Sequence, residues 1–97
     1  EMHLLLPQTI TELNYQGNQI EEIKPYSLIG KTALKKLNLM KNNLIRIHNE
    51  TFCAAMNLEE LDLSENPSLR IAMSNLNDFF GCLKKLKHLI LSREQLM

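Results

Sequence analysis

Apolar residues in this 97-residue chain return in a fixed frame. From Leu34 the pattern runs through Leu37, Leu39, Asn42 and Leu44, with the spacing LxxLxLxxNxL. The same frame fits Ile10, Leu13, Tyr15, Asn18 and Ile20, and again Leu58, Leu61, Leu63 and Asn66. The starts at Ile10, Leu34 and Leu58 lie 24 residues apart, and a fourth copy runs through Leu86, Leu89, Leu91 and Leu96 after a longer stretch of 28. Self-similarity at a fixed period of this length is the mark of a repeat architecture. The expected organisation is one repetitive segment over residues 1–97, with repeats starting near 10, 34, 58 and 86 and with residues 1–9 leading in from a preceding repeat or N-terminal cap.

Within each copy, LxL alternates apolar with polar positions, which predicts a short strand with one side turned inward. Stacked copies would pair in parallel, each inward Leu packing on its counterpart, because one repeat cannot bury its apolar side alone. The predicted fold class is an α/β solenoid. It is expected to be an arc with a short-stranded parallel β-sheet on the concave face and loops or short helices on the convex face. The Asn at the ninth position can donate to and accept from backbone groups left unpaired where the chain turns. Asn18, Asn42 and Asn66 are therefore assigned to structure rather than to ligand contact. In the returning half, Ile23, Ile47, Leu28 and Phe52 are read as core plugs. The third repeat carries one extra residue in Asn66-Pro67-Ser68-Leu69, and its run through Ile71, Met73, Leu76, Phe79 and Phe80 allows a short helix.

Composition narrows the picture. Aromatics make up 5% of the chain and Trp is absent, so the core must be built from Leu and Ile in thin layers. Lys plus Arg equals Asp plus Glu at 11 each, which leaves no global field to draw in nucleic acid. No run approaches the roughly 20 apolar residues of a membrane span. The opening Glu1-Met2-His3-Leu4-Leu5-Leu6-Pro7 has no basic region. The expectation is a segment that neither contacts a membrane nor carries an export signal. No phosphate loop, GxSxG or HExxH is present. Glu59, Glu60, Asp62 and Glu65 cluster on a strand surface without the cleft that would tune a catalytic pair. Two Cys and the scattered His3, His48 and His88 make no metal-ligand set. The chain is thus read as a non-enzyme without cofactor or metal.

With the frame fixed, the residues resemble the typical extracellular class of leucine-rich repeats, as found in Toll-like receptor ectodomains and related secreted or cell-surface proteins. Leu34 to Asn57 carries the match best, with its 24-residue length, Asn42 and Phe52, while Leu6-Pro7-Gln8-Thr9-Ile10 looks like the lead into an early repeat. Insect secreted repeat proteins and small proteoglycans use a similar frame. The resemblance implies a binding scaffold, often in innate immunity, at the cell surface or outside the cell. On that reading the chain is a segment of an innate-immune receptor ectodomain for a protein or pathogen-derived ligand. The alternative is a structural or secreted repeat protein that works by protein–protein assembly. Self-association and a co-receptor are further partners on either reading. Asn49-Glu50-Thr51 is a glycosylation acceptor triplet in the variable half of the second repeat, whereas Asn66-Pro67-Ser68 is excluded by its proline. Cys53 and Cys82 fall late in successive repeats, and two readings stand: a disulfide across one rung, or two buried thiols acting as small hydrophobes. The extracellular class favours the bridge.

The candidate recognition residues are the exposed concave positions, chiefly Lys36, Asn38, Met40, Glu60, Asp62, His88 and Ile90. Charges on these rungs alternate, with Lys35 beside Glu59 and then Lys87, and Lys41 beside Glu65 and then Arg93. Lateral neutralisation of these charges is one expectation, and a partner of complementary charge anchored on Met40 and Ile90 is the other. The chain stops at Met97 inside a repeat, which suggests a fragment of something longer.

Overall fold

The computed structural model describes residues 9–48 and 50–96. The lead-in through Leu6-Pro7, His3, the acceptor Asn49 and Met97 lie outside the described residues. Four three-residue strands appear at the LxL positions: β1 (Glu12–Asn14), β2 (Lys36–Asn38), β3 (Glu60–Asp62) and β4 (His88–Ile90). They form one parallel sheet in the order β1-β2-β3-β4. The register is the repeat itself, since Leu13, Leu37, Leu61 and Leu89 are successive Cα partners. Backbone bonding continues one residue past the strands, with Tyr15 N–H donating to Asn38 O at 2.8 Å and Leu39 N–H to Asp62 O at 2.9 Å.

Leucines that repeat in sequence stack in space. Leu34 and Leu58, Leu37 and Leu61, and Leu39 and Leu63 are all buried in one core. Burying each such side chain is worth about 1.5–3 kcal/mol, and the gain depends on the neighbouring rung supplying the opposite wall. On the return side Leu28, Phe52 and Phe80 occupy matching places, and the rings of Phe52 and Phe80 stack with centroids 6.0 Å apart. Ile23 is buried and Ile47 half-buried. The longer third repeat uses its extra residues for a 3-10 turn at Met73–Asn75 that leads into a short helix, α1 (Leu76–Phe80).

Two features of the return side depart from the simple frame. At the first, Met73 is 60% exposed. The chain is extended at Ala72 and turns into the 3-10 segment immediately after it, so strand-like alternation from Ile71 stops there. Ile71 fills the inward place, and its N–H donates to Gln95 O. Lys31 is the second departure. It stands where the next two repeats have Ala55 and Leu83, as the matching bonds of Lys31, Ala55 and Leu83 N–H to Leu28, Phe52 and Phe80 O show. It is 1% exposed, and its Nζ has no hydrogen-bond partner among the described residues. Cys53 and Cys82 are joined by a disulfide with Cα atoms 5.5 Å apart, which ties the return segments of the second and third repeats together.

Candidate binding surface along the sheet

Each strand must end within three residues, and the side chains that end it decide what is left for recognition. In the first three rungs the last strand residue folds back on the chain. Asn14 Oδ1 accepts from Gln16 N–H, Asn38 Oδ1 from Met40 N–H and Asp62 Oδ1 from Ser64 N–H, each at 2.9 Å. The backbone then turns through a left-handed residue at Gly17, Lys41 and Glu65, which lie 24 residues apart. The repeat asparagine closes the turn. Asn42 Nδ2 donates to Leu39 O at 2.9 Å and across to Tyr15 O at 3.1 Å, while its Oδ1 accepts from Ile20 N–H. Asn66 repeats this with Leu63 O, Leu39 O and Leu44 N–H. Asn18 is exposed and, among the described residues, donates to Tyr15 O alone.

The fourth rung breaks the rule, and one residue replaces two. Ile90 stands where the other rungs carry Asn or Asp, and Glu94 stands where they carry the repeat Asn. Gln95, 1% exposed, takes over both tasks: its Oε1 accepts from Ser92 N–H at 2.7 Å and its Nε2 donates to Leu63 O at 2.8 Å. The Leu-frame reading passed over Gln95 because it is one position out of register. The signal was present as Ser92-Arg93-Glu94-Gln95, a Ser-x-x-Gln capping spacing, and a 3-10 turn forms at Arg93–Gln95.

Six of the seven candidate recognition residues fall into two adjoining rows across the sheet. Lys36, Glu60 and His88 make one row, and Asn38, Asp62 and Ile90 the other. Met40 lies beyond Asn38 and is half-buried. Asn38 and Asp62 each commit an oxygen to ending a strand, and Asn38 Nδ2 also reaches Gln16 Oε1 at 3.3 Å. The positions with most side chain to offer are Lys36, His88 and Ile90, the last 40% exposed. Of the expected lateral charge pairs, Lys87 and Glu59 approach to 3.5 Å. Among the described residues Lys35–Glu59, Lys41–Glu65 and Glu65–Arg93 form no ion pair. Register brings these backbones together, but long exposed side chains gain too little from pairing to be held there. The self-neutralising ladder is thus closed at one step only.

A stronger ionic contact lies on the turn after the sheet. Glu22 accepts from Lys24 Nζ at 2.7 Å and meets His48 Nε2 at 2.6 Å, joining the first repeat to the second. These hydrogen bonds, Lys24 first and His48 second, hold the Glu22 carboxyl down at about 2. Among the described residues no group of His, Cys, Asp and Glu is placed to hold a metal ion, and no helix is long and apolar enough to cross a membrane.

The stacked leucines, strand-ending Asx turns and asparagine ladder, repeated at one period, define a family. The model described as "Leucine rich repeat" matches residues 8–67 and again 32–96. The chain belongs to the leucine-rich-repeat family. Mouse osteomodulin is 33% identical to this leucine-rich-repeat chain over 95 residues, which is 95% of the chain and 21% of osteomodulin. The chain therefore spans about a fifth of the length of this curated relative. Leucine-rich-repeat domains generally mediate protein–protein interaction, which suggests a protein-binding scaffold.

Proposed function

We propose that the chain is a non-enzymatic, extracellular protein-binding segment whose concave sheet face meets its partner around Lys36, Glu60, His88 and Ile90, in a secreted or matrix-type protein. The observation that carries this is the pair of adjoining rows on β2–β4. They present Lys36, Glu60 and His88, which form no ion pair among the described residues, beside an exposed Ile90, the mixture of apolar anchor and polar rim that suits a protein contact. Similarity to osteomodulin, a secreted extracellular matrix protein, supports the matrix setting over a receptor ectodomain. The disulfide fits an oxidising compartment, and Asn49 is proposed as its glycan acceptor.

The test is site-specific photo-crosslinking from the parent protein. A photoreactive residue at Lys36, Glu60 or Ile90 is expected to capture a protein partner, and one at Met56 or Met73, both exposed on the return side, is expected to capture none. Capture from the return side with a silent sheet would overturn the assignment of the face.

A further inference from the structure

The departure of the fourth rung has a geometric result beyond the sheet face. In the earlier rungs the left-handed residue bonds to its neighbour's carbonyl: Gly17 N–H to Met40 O and Lys41 N–H to Ser64 O, both at 3.1 Å. Glu65 N–H instead takes the Ser92 hydroxyl at 2.8 Å, and the Ser92 carbonyl accepts from Gln95 N–H. The fourth turn therefore leaves the path of the other three. Between them opens a groove of about 370 Å³ at the C-terminal ends of the strands. Its rim carries Lys41, Glu65 and Glu94, its wall Pro67 and Ser92, and its floor the buried Asn66.

Resting on the protein-binding reading above, we propose that this groove takes an arginine side chain of the bound protein. Charge and shape both favour that occupant. Glu65 and Glu94 line the groove from adjacent rungs, neither forms an ion pair among the described residues, and with Lys41 on the second rung the rim has a net charge of −1. The two acids reach the groove from the third and fourth rungs, and a planar guanidinium can donate to more than one carboxylate. The exposed Pro67 ring offers apolar surface for the aliphatic stem. Lys41 stands on the far side of Glu65 from Glu94, so the basic head settles toward the fourth rung. The groove thereby selects a basic residue at one edge of an interface centred on β2–β4.

The probe is acetyl-Gly-Arg-Gly-amide, titrated into the ¹⁵N-labelled full chain beside peptides carrying citrulline or Glu in place of Arg. The Arg peptide is expected to displace the amide signals of Glu65, Ser92, Glu94 and Gln95. Citrulline, with the same shape and no charge, is expected to bind about tenfold more weakly, the factor that two exposed ion pairs together supply. E94Q, at an exposed position, should weaken the Arg peptide about threefold with the rest of the spectrum in place, E65Q should do the same, and the two together should bring it to the citrulline level. Equal response to Arg and citrulline, preference for the Glu peptide, displacement confined to the Glu60 and Asp62 rows, or no displacement at the highest soluble concentration would each overturn the proposal. Crosslinking from the sheet face reads the broader function separately, so a groove indifferent to arginine leaves that result standing.

Discussion

At the scale of single residues, Gln95 and Lys31 show how a repeat absorbs exceptions. Gln95 satisfies a buried carbonyl and a strand-end N–H that two residues serve elsewhere. Gln95→Ala would leave Ser92 N–H without that partner and Leu63 O with Asn66 Nδ2 alone, and an unpaired buried group costs about 1–3 kcal/mol. A loss of about 1–3 kcal/mol is expected in urea unfolding, and a change well below about 1 kcal/mol would show that water replaces the amide. Lys31 runs the other way. Its ammonium is buried with no partner among the described residues, at a site where neighbouring repeats pack Ala55 and Leu83. Lys31→Met keeps the length of the stem and removes the desolvated charge, so it should raise stability by about 1–3 kcal/mol. A lower urea midpoint in the variant would mean that the ammonium is better solvated than its burial implies.

At the scale of elements, what the leucine frame encodes is what the structure contains, and the misses have physical causes. Strand positions and register were legible because a period of two in LxL and a period of 24 along the chain admit one parallel stacking of Leu37 on Leu61. The short helix that the run from Ile71 to Phe80 allows forms over Leu76–Phe80, because the chain is extended at Ala72 and turns through Met73–Asn75 first. The roles of Asn38 and Asp62 were half-legible. Both were read as recognition residues, yet an Asx side chain at a strand end finds the N–H two residues on before it finds a ligand. The longer third repeat also raises a question of how α1 is held, since five residues cannot form a stable helix alone. Packing of Phe80 and the Cys53–Cys82 bridge supply the anchorage. The bridge closes a loop of sequence separation 29, for which chain entropy gives about 3–4 kcal/mol. Cys53→Ser with Cys82→Ser should lower stability by that order, and α1 amides should lose hydrogen-exchange protection before those of β2 and β3. Uniform loss across all rungs would show that the bridge stabilises the solenoid as a whole instead.

For the whole molecule, stability is a sum of rung-to-rung contacts, so ionic links matter by where they cross a rung boundary. The cross-sheet pair Lys87–Glu59 is exposed and contributes at most about 1 kcal/mol. Glu22 differs because it bonds at once within its own repeat and to His48 of the next. Its carboxyl is held at about 2, below the ordinary 4.5, by Lys24 and then His48. A depressed carboxyl means that the folded state favours the charged form. The stabilisation is therefore complete above pH 4.5 and disappears as pH falls through about 2. Glu22→Gln should be less stable than the parent chain at neutral pH, and the gap between the two should close between pH 4.5 and 2. Other carboxylates titrate in the same range, so the difference between the two proteins, followed by thermal unfolding at each pH, is the quantity that reports on Glu22. A gap that stays constant across that window would show that the loss in the variant comes from packing at the first rung boundary and not from its charge.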